Sequence, residues 1–239
     1  MEMQEKCDPM GQAIWDFART GKSGKLVVRS SMFDDDEMSV ANLFRTEMEM
    51  PCLERVALDL CRGRVLDVGA GAGCHTIALE KRGFEVTSID ISPFSTQARL
   101  FRGAHDARCI DLFEESWSER FDTIILLMNG LGIAGKLSGL PRLLNRCSAL
   151  LEEGGQILAD SSDIRYVFED EDGEFYPPEE TDYYGEVDYQ MVYNKCVGEP
   201  FDWLYVDFDT LQRVAETCGL RAEKVRDGEH FDYLCRITR

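Results

Sequence analysis

The chain has 239 residues, 44% of them hydrophobic, which is enough for one α/β domain with insertions. Its formal net charge of −19 argues against nucleic acid as a substrate, because phosphates would be repelled over most of the surface. The longest apolar run is far too short to span a bilayer, so neither a nucleic-acid nor a membrane partner is expected.

Cysteine and histidine usage argues against disulfides and metals. The nine cysteines are an odd number and form no Cys-x-x-Cys pair, which favours reduced, mostly buried thiols in a cytoplasmic protein. His75, His105 and His230 have no metal-ligand spacing, so no metal is predicted. The first residues do not have the pattern of a signal peptide, which also favours a cytoplasmic location.

Two helices are predicted before the first strand of a sheet. Residues 9–20 carry apolar side chains at helical spacing, and residues 51–61 form a second helical segment that leads into the strand. Between them, residues 28–38 hold a short apolar run followed by an acidic stretch. Residues 1–55 are therefore expected to form an N-terminal helical segment.

Residues 64–75, Arg-Val-Leu-Asp-Val-Gly-Ala-Gly-Ala-Gly-Cys-His, are the most informative stretch of the chain. An apolar strand reaches Asp67, glycines follow at positions 69, 71 and 73, and a helical pattern begins at Thr76. A turn this sharp needs backbone angles that other residues avoid, and the missing side chains let a ligand lie against the main chain. Free N–H groups of the helix favour a carboxylate or phosphate there. The stretch predicts a nucleotide-binding α/β unit.

Four further strands follow in chain order, and three of them end in a polar side chain. The next strand ends in Asp90, about 20 residues beyond the glycine loop, the spacing at which an acid reaches ribose hydroxyls. A short apolar segment then ends in Asp111, and a longer strand ends in Asn129. The last of the four begins after a Gly-Gly turn at residues 154 and 155.

These features resemble class I S-adenosylmethionine-dependent methyltransferases over residues 63–163. The spacing Asp-x-Gly-x-Gly-x-Gly matches motif I of that family. The dinucleotide fingerprint Gly-x-Gly-x-x-Gly fits less well, because the third glycine comes one position early and Cys74 stands where glycine or alanine is needed. The resemblance implies a doubly wound, mostly parallel seven-stranded sheet, the Rossmann-like methyltransferase fold, with S-adenosylmethionine as cofactor.

The resemblance also implies which residues bind the cofactor. Its methionine end would lie on the glycine loop, its ribose on Asp90, and its adenine near Ile91, Asp111 and Leu112. Asn129 would lie close to the transferring methyl. The implied set is Asp67, Gly69, Ala70, Gly71, Gly73, Asp90, Ile91, Asp111, Leu112 and Asn129. No catalytic residue is assigned, because methyl transfer mainly needs alignment, and a general base is required only if the acceptor arrives protonated.

Five residues are weaker candidates for contact with the methyl acceptor. In this family the segment before the first strand often folds over the cofactor, which points to Phe33 and Arg45. Asp160 and Asp163 stand at the carboxyl end of the fifth strand, where α/β folds place ligands, and Tyr184 follows in the next segment. Ordinary packing and solvated charge are the alternative explanation for all five.

An acidic insertion is predicted after the fifth strand. Residues 185–193 alternate polar and apolar side chains and residues 201–207 form a second strand, so a β-hairpin is expected. It either covers the active site or pairs with a second subunit in a homodimer, and the lid is favoured. The single domain of residues 1–239 then divides into an N-terminal lid segment (1–55), a cofactor-binding core (56–163), the insertion (164–205), and a C-terminal helix with antiparallel strands 6 and 7 (206–239).

The predicted function is methyl transfer to a small molecule. The sequence Asn129-Gly130-Leu131-Gly132 departs from the Asn/Asp-Pro-Pro-Tyr/Phe of family members that methylate amides and nucleobase amines, which disfavours those targets. Two alternatives stay open. A cofactor-binding regulator or scaffold without transferase activity would have the same motif I. An NAD-dependent oxidoreductase would more often need a further substrate domain, for which no residues remain.

Overall fold

The computed structural model describes residues 7–114, 116–178 and 181–239. The α-helices are α1 (Pro9–Thr20), α2 (Cys52–Leu60), α3 (Cys74–Lys81), α4 (Pro93–Phe101), α5 (Leu140–Ala149) and α6 (Phe208–Thr217). The strands are β1 (Leu26–Arg29), β2 (Asp36–Met38), β3 (Val65–Val68), β4 (Val86–Asp90), β5 (Asp106–Cys109), β6 (Phe121–Leu126), β7 (Leu151–Ser162), β8 (Glu186–Tyr193), β9 (Cys196–Val197), β10 (Phe201–Leu204), β11 (Arg221–Asp227) and β12 (Asp232–Thr238). Within these residues, no helix combines the length and apolar character needed to cross a membrane.

The larger of two sheets has seven strands in the order β11-β12-β7-β6-β3-β4-β5. Strands β3 to β7 run parallel, and β12 lies antiparallel between β7 and β11. The predicted doubly wound sheet with an antiparallel C-terminal pair is confirmed. The strand order reverses between β3 and β6, and open α/β sheets bind ligands beside the carboxyl ends of strands at such a point.

Helices cover both faces of this sheet because its central strands are apolar on both sides. Leu66 and Ile124 belong to the cluster that α5 and α6 complete. Their neighbours Val65 and Ile125 belong to the cluster of α2 and α3 on the other face. Successive side chains of a strand point to opposite faces, so one continuous apolar run serves both layers. Complete burial of each such side chain contributes about 1.5–3 kcal/mol.

The smaller sheet joins the N-terminal segment to the predicted insertion. Its order is β10-β8-β1-β2, and β9 pairs with the end of β8. The predicted hairpin is present as β8 and β10, with Trp203 opposite Val187. Residues 1–6 lie outside the described residues. The expected helical character of residues 7–55 is incomplete, because β1 and β2 are strands. Leu26 lies opposite Tyr193, so this sheet depends on pairing between distant parts of the chain.

Helix α1 connects the smaller sheet to the nucleotide-binding half of the larger one. Ile14 packs in a cluster with Leu26 of β1 and Ala98 of α4. Asp8 caps the first turn of α1, and its Oδ2 accepts a hydrogen bond from Ser92 Oγ at 2.6 Å. Because Ser92 is also the N-cap of α4, this bond ties the N-terminal segment to the end of β4.

A disulfide corrects the expectation that all nine cysteines are reduced. Cys7 and Cys196 are bonded, with their Cα atoms 5.7 Å apart and a sequence separation of 189. Cysteine spacing gave no sign of this pair, because the two residues meet only after β9 has folded beside the start of α1. The other seven cysteines are free thiols.

Candidate functional site

The glycine loop leaves β3 with three positive backbone angles. The φ values are 67° at Gly69, 50° at Gly71 and 83° at Gly73, a region that residues with a Cβ rarely adopt. A Cβ added at Gly71 would meet only the Gly69 carbonyl oxygen, at 4.0 Å, so the space above Gly71 is open. No side chain caps the N-terminus of α3. The loop thus offers a bare main chain and free N–H groups to an anionic ligand.

Asp67 lies beneath this loop. The residue is 2% exposed, and its Oδ2 accepts a hydrogen bond from Thr76 Oγ1 at 2.6 Å. Burial raises the pKa of the Asp67 carboxyl, and the charge of His75 and the bond from Thr76 oppose that rise. The side chain of Asp67 therefore fixes the first turn of α3 beneath the loop, instead of facing the open side of the sheet.

Asp90 connects the end of β4 to the glycine loop. Its Oδ2 accepts from the Gly71 N–H at 2.8 Å, and its Oδ1 accepts from the Ser92 N–H at 2.8 Å. The side chain keeps 14% of its surface exposed. Burial raises the pKa of Asp90, while the two N–H groups and the nearby Arg99 favour the ionised form. A partly open carboxylate of this kind can accept hydrogen bonds from a pair of hydroxyls.

Three predicted adenine contacts differ in their exposure. Ile91 is 76% exposed at the end of β4, an apolar surface available to a flat ring. Asp111 is exposed, and its Oδ1 accepts from the Phe113 N–H at 2.9 Å. Leu112 is 4% exposed and packs in the core, which corrects the expectation that its side chain contacts the cofactor. Its position next to an exposed acid gave no sign of that burial.

The end of β6 carries two residues in a strained backbone conformation. Met128 has φ 64° and Asn129 has φ 56°, a region that a bulky side chain such as methionine rarely adopts. Asp160 of β7 accepts from the Asn129 N–H at 2.9 Å, and Ser162 Oγ donates to Asn129 Oδ1 at 3.0 Å. Strain of this kind persists where the surroundings hold it, and it concentrates at functional sites.

The Asp160 carboxyl has an unusual protonation equilibrium. Burial and the neighbouring charge of Glu54 raise its pKa to about 7, although the Asn129 N–H and His75 favour the ionised form. The group therefore changes charge near neutral pH, which is the property required of a general base.

A buried ionic network lies near Asp160. It was not predicted from the sequence. Glu54 and His75 are each 5% exposed, and His75 Nε2 lies 2.7 Å from Glu54 Oε2. Arg45 donates to both oxygens of the same carboxylate. Burial disfavours the imidazolium, but Cys74, Glu54 and Asp67 outweigh burial and hold the His75 pKa well above its ordinary value. The one available signal was a glutamate on the buried face of α2.

The network corrects the expectation for Arg45, whereas Phe33 belongs to the smaller sheet. The Arg45 side chain is 10% exposed because it lies against Glu54, so it does not face outward as an acceptor contact. Phe33 lies half-buried in the connection between β1 and β2 of the smaller sheet.

Asp163 and Tyr184 do come together beyond the end of β7. Tyr184 Oη donates to Asp163 Oδ1 at 2.7 Å, and Tyr183 Oη donates to Asp207 Oδ2 at 2.7 Å. These four residues line a cavity of about 480 Å³, with Leu137 on its wall. Another depression, of about 330 Å³, is lined by seven residues that include no predicted site residue: Leu60, Arg62, Gln156, Arg221, Glu223, Arg236 and Thr238.

The hairpin packs against the segment that follows Asn129. A Cβ added at Gly132 would come within 2.1 Å of the Trp203 indole, so only glycine allows this approach. Glu186 Oε1 accepts from the Leu137 N–H at 2.9 Å. The hairpin therefore forms a wall beside the carboxyl end of β6.

The known proteins to which this chain is similar include methyltransferases. A family model described as a methyltransferase domain matches residues 41–225. A solved structure of an S-adenosylmethionine-dependent methyltransferase from Bacteroides fragilis, in complex with S-adenosyl-L-homocysteine, is 50% identical with a TM-score of 0.93. That alignment covers 99% of this chain and 96% of the other.

Two curated proteins match over shorter stretches. A putative methyltransferase from Geobacillus sp. (strain WCH70) is 27% identical over 45% of this chain and 47% of its own length. A magnesium-protoporphyrin O-methyltransferase from Rhodobacter capsulatus is 43% identical over 20% of this chain and 22% of its own length. The match thus spans less than half the length of these curated relatives.

Proposed function

Because the chain belongs to the S-adenosylmethionine-dependent methyltransferase family, with S-adenosylmethionine as its cofactor, we propose that it methylates a small-molecule acceptor at the carboxyl ends of β6 and β7. The observation that carries this proposal is the hydrogen-bonded group of Asn129, Asp160 and Ser162 at that edge, beside the glycine loop. The acceptor would enter between this group and the hairpin.

The residues of the glycine loop fit the cofactor. The open main chain at Gly69, Ala70, Gly71 and Gly73, with the uncapped start of α3, suits the carboxylate of the methionine end. Asp90 would accept from the ribose hydroxyls. The exposed Ile91 and Asp111 would flank the adenine, while Asp67 and Leu112 would act from beneath through packing.

S-adenosylmethionine supplies a methyl group on a positively charged sulfur, whose departure leaves a neutral thioether. The residues of the chain then have to orient the acceptor and exclude water. Asn129, held by Asp160 and Ser162, would orient the acceptor atom. An Asp160 carboxylate with a pKa of about 7 can take a proton from an acceptor that arrives protonated.

Contacts of the insertion support a role as a lid. Trp203 packs on Gly132, and β8 pairs with β1 of the same chain. Such pairing occupies one side of the hairpin within the molecule, which favours a wall of the acceptor site over the homodimer interface. The cavity beside Asp163 and Tyr184 would hold the part of the acceptor remote from the methyl group.

A reducing compartment such as the cytoplasm is the location we favour. Seven cysteines are free thiols, and four of them are buried: Cys61, Cys74, Cys147 and Cys235. Free thiols in this number are typical of cytoplasmic proteins, and the Cys7–Cys196 bond would be the exception among them.

The decisive experiment has two stages. Calorimetry with S-adenosylmethionine, S-adenosylhomocysteine and NAD should detect binding of the first two only. A screen of small-molecule acceptors should then detect S-adenosylhomocysteine release that depends on one acceptor class. Thermal protection by NAD, with none by S-adenosylhomocysteine, would contradict the proposed cofactor site. Tight cofactor binding without turnover on any acceptor class would favour a regulator or scaffold.

A further inference from the structure

Two arginines of the α4 region lie behind the glycine loop and hold its carbonyl groups. Arg99 Nη1 donates to the Gly71 carbonyl oxygen at 3.0 Å. Arg102 donates in the same way to the carbonyl of the next residue, Ala72. The Arg99 side chain has no exposed surface, so its guanidinium has no access to bulk water.

The Arg99 bond determines which way the loop presents its main chain. A peptide unit is planar and trans, so its N–H points opposite to its carbonyl. With the Gly71 carbonyl turned toward Arg99, the N–H of Ala72 points to the opposite side of the loop. A carbonyl facing that side would instead repel an anionic ligand group.

The stem of Arg99 fills the space beneath the loop. A Cβ added at Gly73 would come within 2.9 Å of Arg99 Cγ. Further bonds fix the guanidinium: Nη2 donates to Thr96 Oγ1 at 3.2 Å and to the Arg108 carbonyl at 3.3 Å. The arginine is therefore held by its own helix and by β5, and it can act as a rigid support for the loop.

Arg99 also supplies positive charge to the ribose-binding position. Its Nη1 lies 3.8 Å from Asp90 Oδ2. Burial raises the pKa of Asp90; Arg99 and the N–H groups of Ser92 and Gly71 oppose that rise, whereas Asp8 adds to it. Loss of the arginine would thus leave a buried carboxylate with less support for its ionised form.

We propose that Arg99 is a positioning residue for S-adenosylmethionine, which fixes the glycine loop through the Gly71 carbonyl and keeps Asp90 ready to accept the ribose hydroxyls. The inference rests on the proposed cofactor site. One buried side chain outside the loop would thus determine both the conformation of the loop and the positive charge beside Asp90.

The test is calorimetric binding of S-adenosylhomocysteine between pH 5 and pH 8 to the wild type and three variants. Arg99→Met should bind about ten- to a hundredfold more weakly, the loss expected for hydrogen bonds to a charged group. Its affinity should also begin to fall at a higher pH than that of the wild type, because Asp90 would take up a proton more readily.

The other two variants separate the bond from the charge. Arg99→Lys keeps the charge but lacks the planar fork, so it should bind more weakly with the pH dependence of the wild type. Arg102→Met loses a loop contact without touching Asp90, so it should weaken binding equally at every pH. If Arg99 had a purely structural role, the affinities of the three variants would show the same pH dependence.

Each outcome has a definite meaning. A folded Arg99→Met protein with the affinity and pH dependence of the wild type would overturn the inference. If that variant does not fold, Arg99→Lys decides, and wild-type affinity in the lysine variant would reject the positioning role. Absence of binding by the wild type would instead reject the proposed cofactor site itself.

Discussion

The proposed cofactor side and the proposed acceptor side of the site are built in different ways. On the cofactor side, main-chain groups of one short loop and the carboxylate of Asp90 come from consecutive elements of the chain. On the acceptor side, Asn129 depends on Asp160 and Ser162 of another strand, and Trp203 arrives from the insertion. The proposed contacts of the main chain with the cofactor thus depend on residues close together in the chain. The proposed acceptor contacts require the folded hairpin and two strands.

The largest effect is expected from a side chain in the loop. Gly71→Val should abolish S-adenosylhomocysteine binding, because valine at φ 50° is strained and its side chain would fill the open space above the loop. Gly83→Val is the matched control. Gly83 also has a positive φ, of 88°, and an added Cβ would contact nothing within 4 Å, but this glycine follows α3 and lies outside the glycine loop. Calorimetry should show binding by the control. Normal binding by Gly71→Val would make the loop an ordinary turn.

Asp160→Asn should change how stability depends on pH. The carboxyl has a pKa of about 7 in the folded protein and 3.8 as its ordinary value. Between these values the folded protein keeps a proton that the unfolded chain releases, so burial of Asp160 makes the wild type less stable as the pH rises from about 4 to 7.

The asparagine variant removes that contribution. Over this pH range, the free energy of unfolding should fall less in the variant than in the wild type. The difference should be on the order of 2–4 kcal/mol, since one unit of pKa difference corresponds to about 1.4 kcal/mol. Urea unfolding of both proteins at pH 4.5 and pH 8 measures the difference. Parallel pH profiles would mean that Asp160 ionises in the folded state as it does in the unfolded chain.

Asp90→Ala should weaken S-adenosylhomocysteine binding by about 1.5–3 kcal/mol, the range for hydrogen bonds to a charged group. Asp111→Ala is the matched comparison, because this exposed carboxylate accepts one hydrogen bond among the described residues, from the Phe113 N–H, and should matter less. Equal losses for the two variants would contradict the ribose assignment of Asp90. Circular dichroism of both proteins checks that the fold survives.

The smallest effect is expected on the acceptor side. Trp203→Ala should leave the S-adenosylhomocysteine dissociation constant unchanged and raise the acceptor KM about two- to tenfold, the worth of one aromatic contact. Phe201→Ala, on the same strand but 37% exposed, removes only an edge-on neighbour of Trp203 and should raise KM less. Light scattering on Trp203→Ala tests the other role of the hairpin. A wild-type dimer that becomes a monomer with unchanged turnover would reject the lid.

The same contrast explains what could be predicted from the sequence. The glycine loop, the larger sheet, the predicted helices and the hairpin follow from local spacing and from the family resemblance, and the structure confirms them. Family membership and the cofactor were also predicted correctly. Each depends on residues close together in the chain, where turn geometry and side-chain periodicity act directly.

The missed features depend on distant residues. Pairing of Leu26 with Tyr193, the contact of His75 with Glu54 and the Cys7–Cys196 bond all join separate segments. Leu112 was also predicted wrongly, because its side chain is buried in the core cluster to which α5 and α6 contribute, and its sequence neighbours do not reveal this. A charged residue on an apolar helix face, as at Glu54, is the one local sign that a buried partner exists.

The Cys7–Cys196 bond closes residues 7–196 into a covalent ring. Every predicted cofactor and acceptor residue lies within this ring, and α6, β11 and β12 lie outside it. One proteolytic cut in the exposed acidic stretch at 169–174 would therefore leave two fragments joined until a reductant is added. Gel electrophoresis of the cut protein with and without reductant would then show whether molecules isolated from a cell contain the disulfide. Fragments that separate only after reduction indicate that the bond was present.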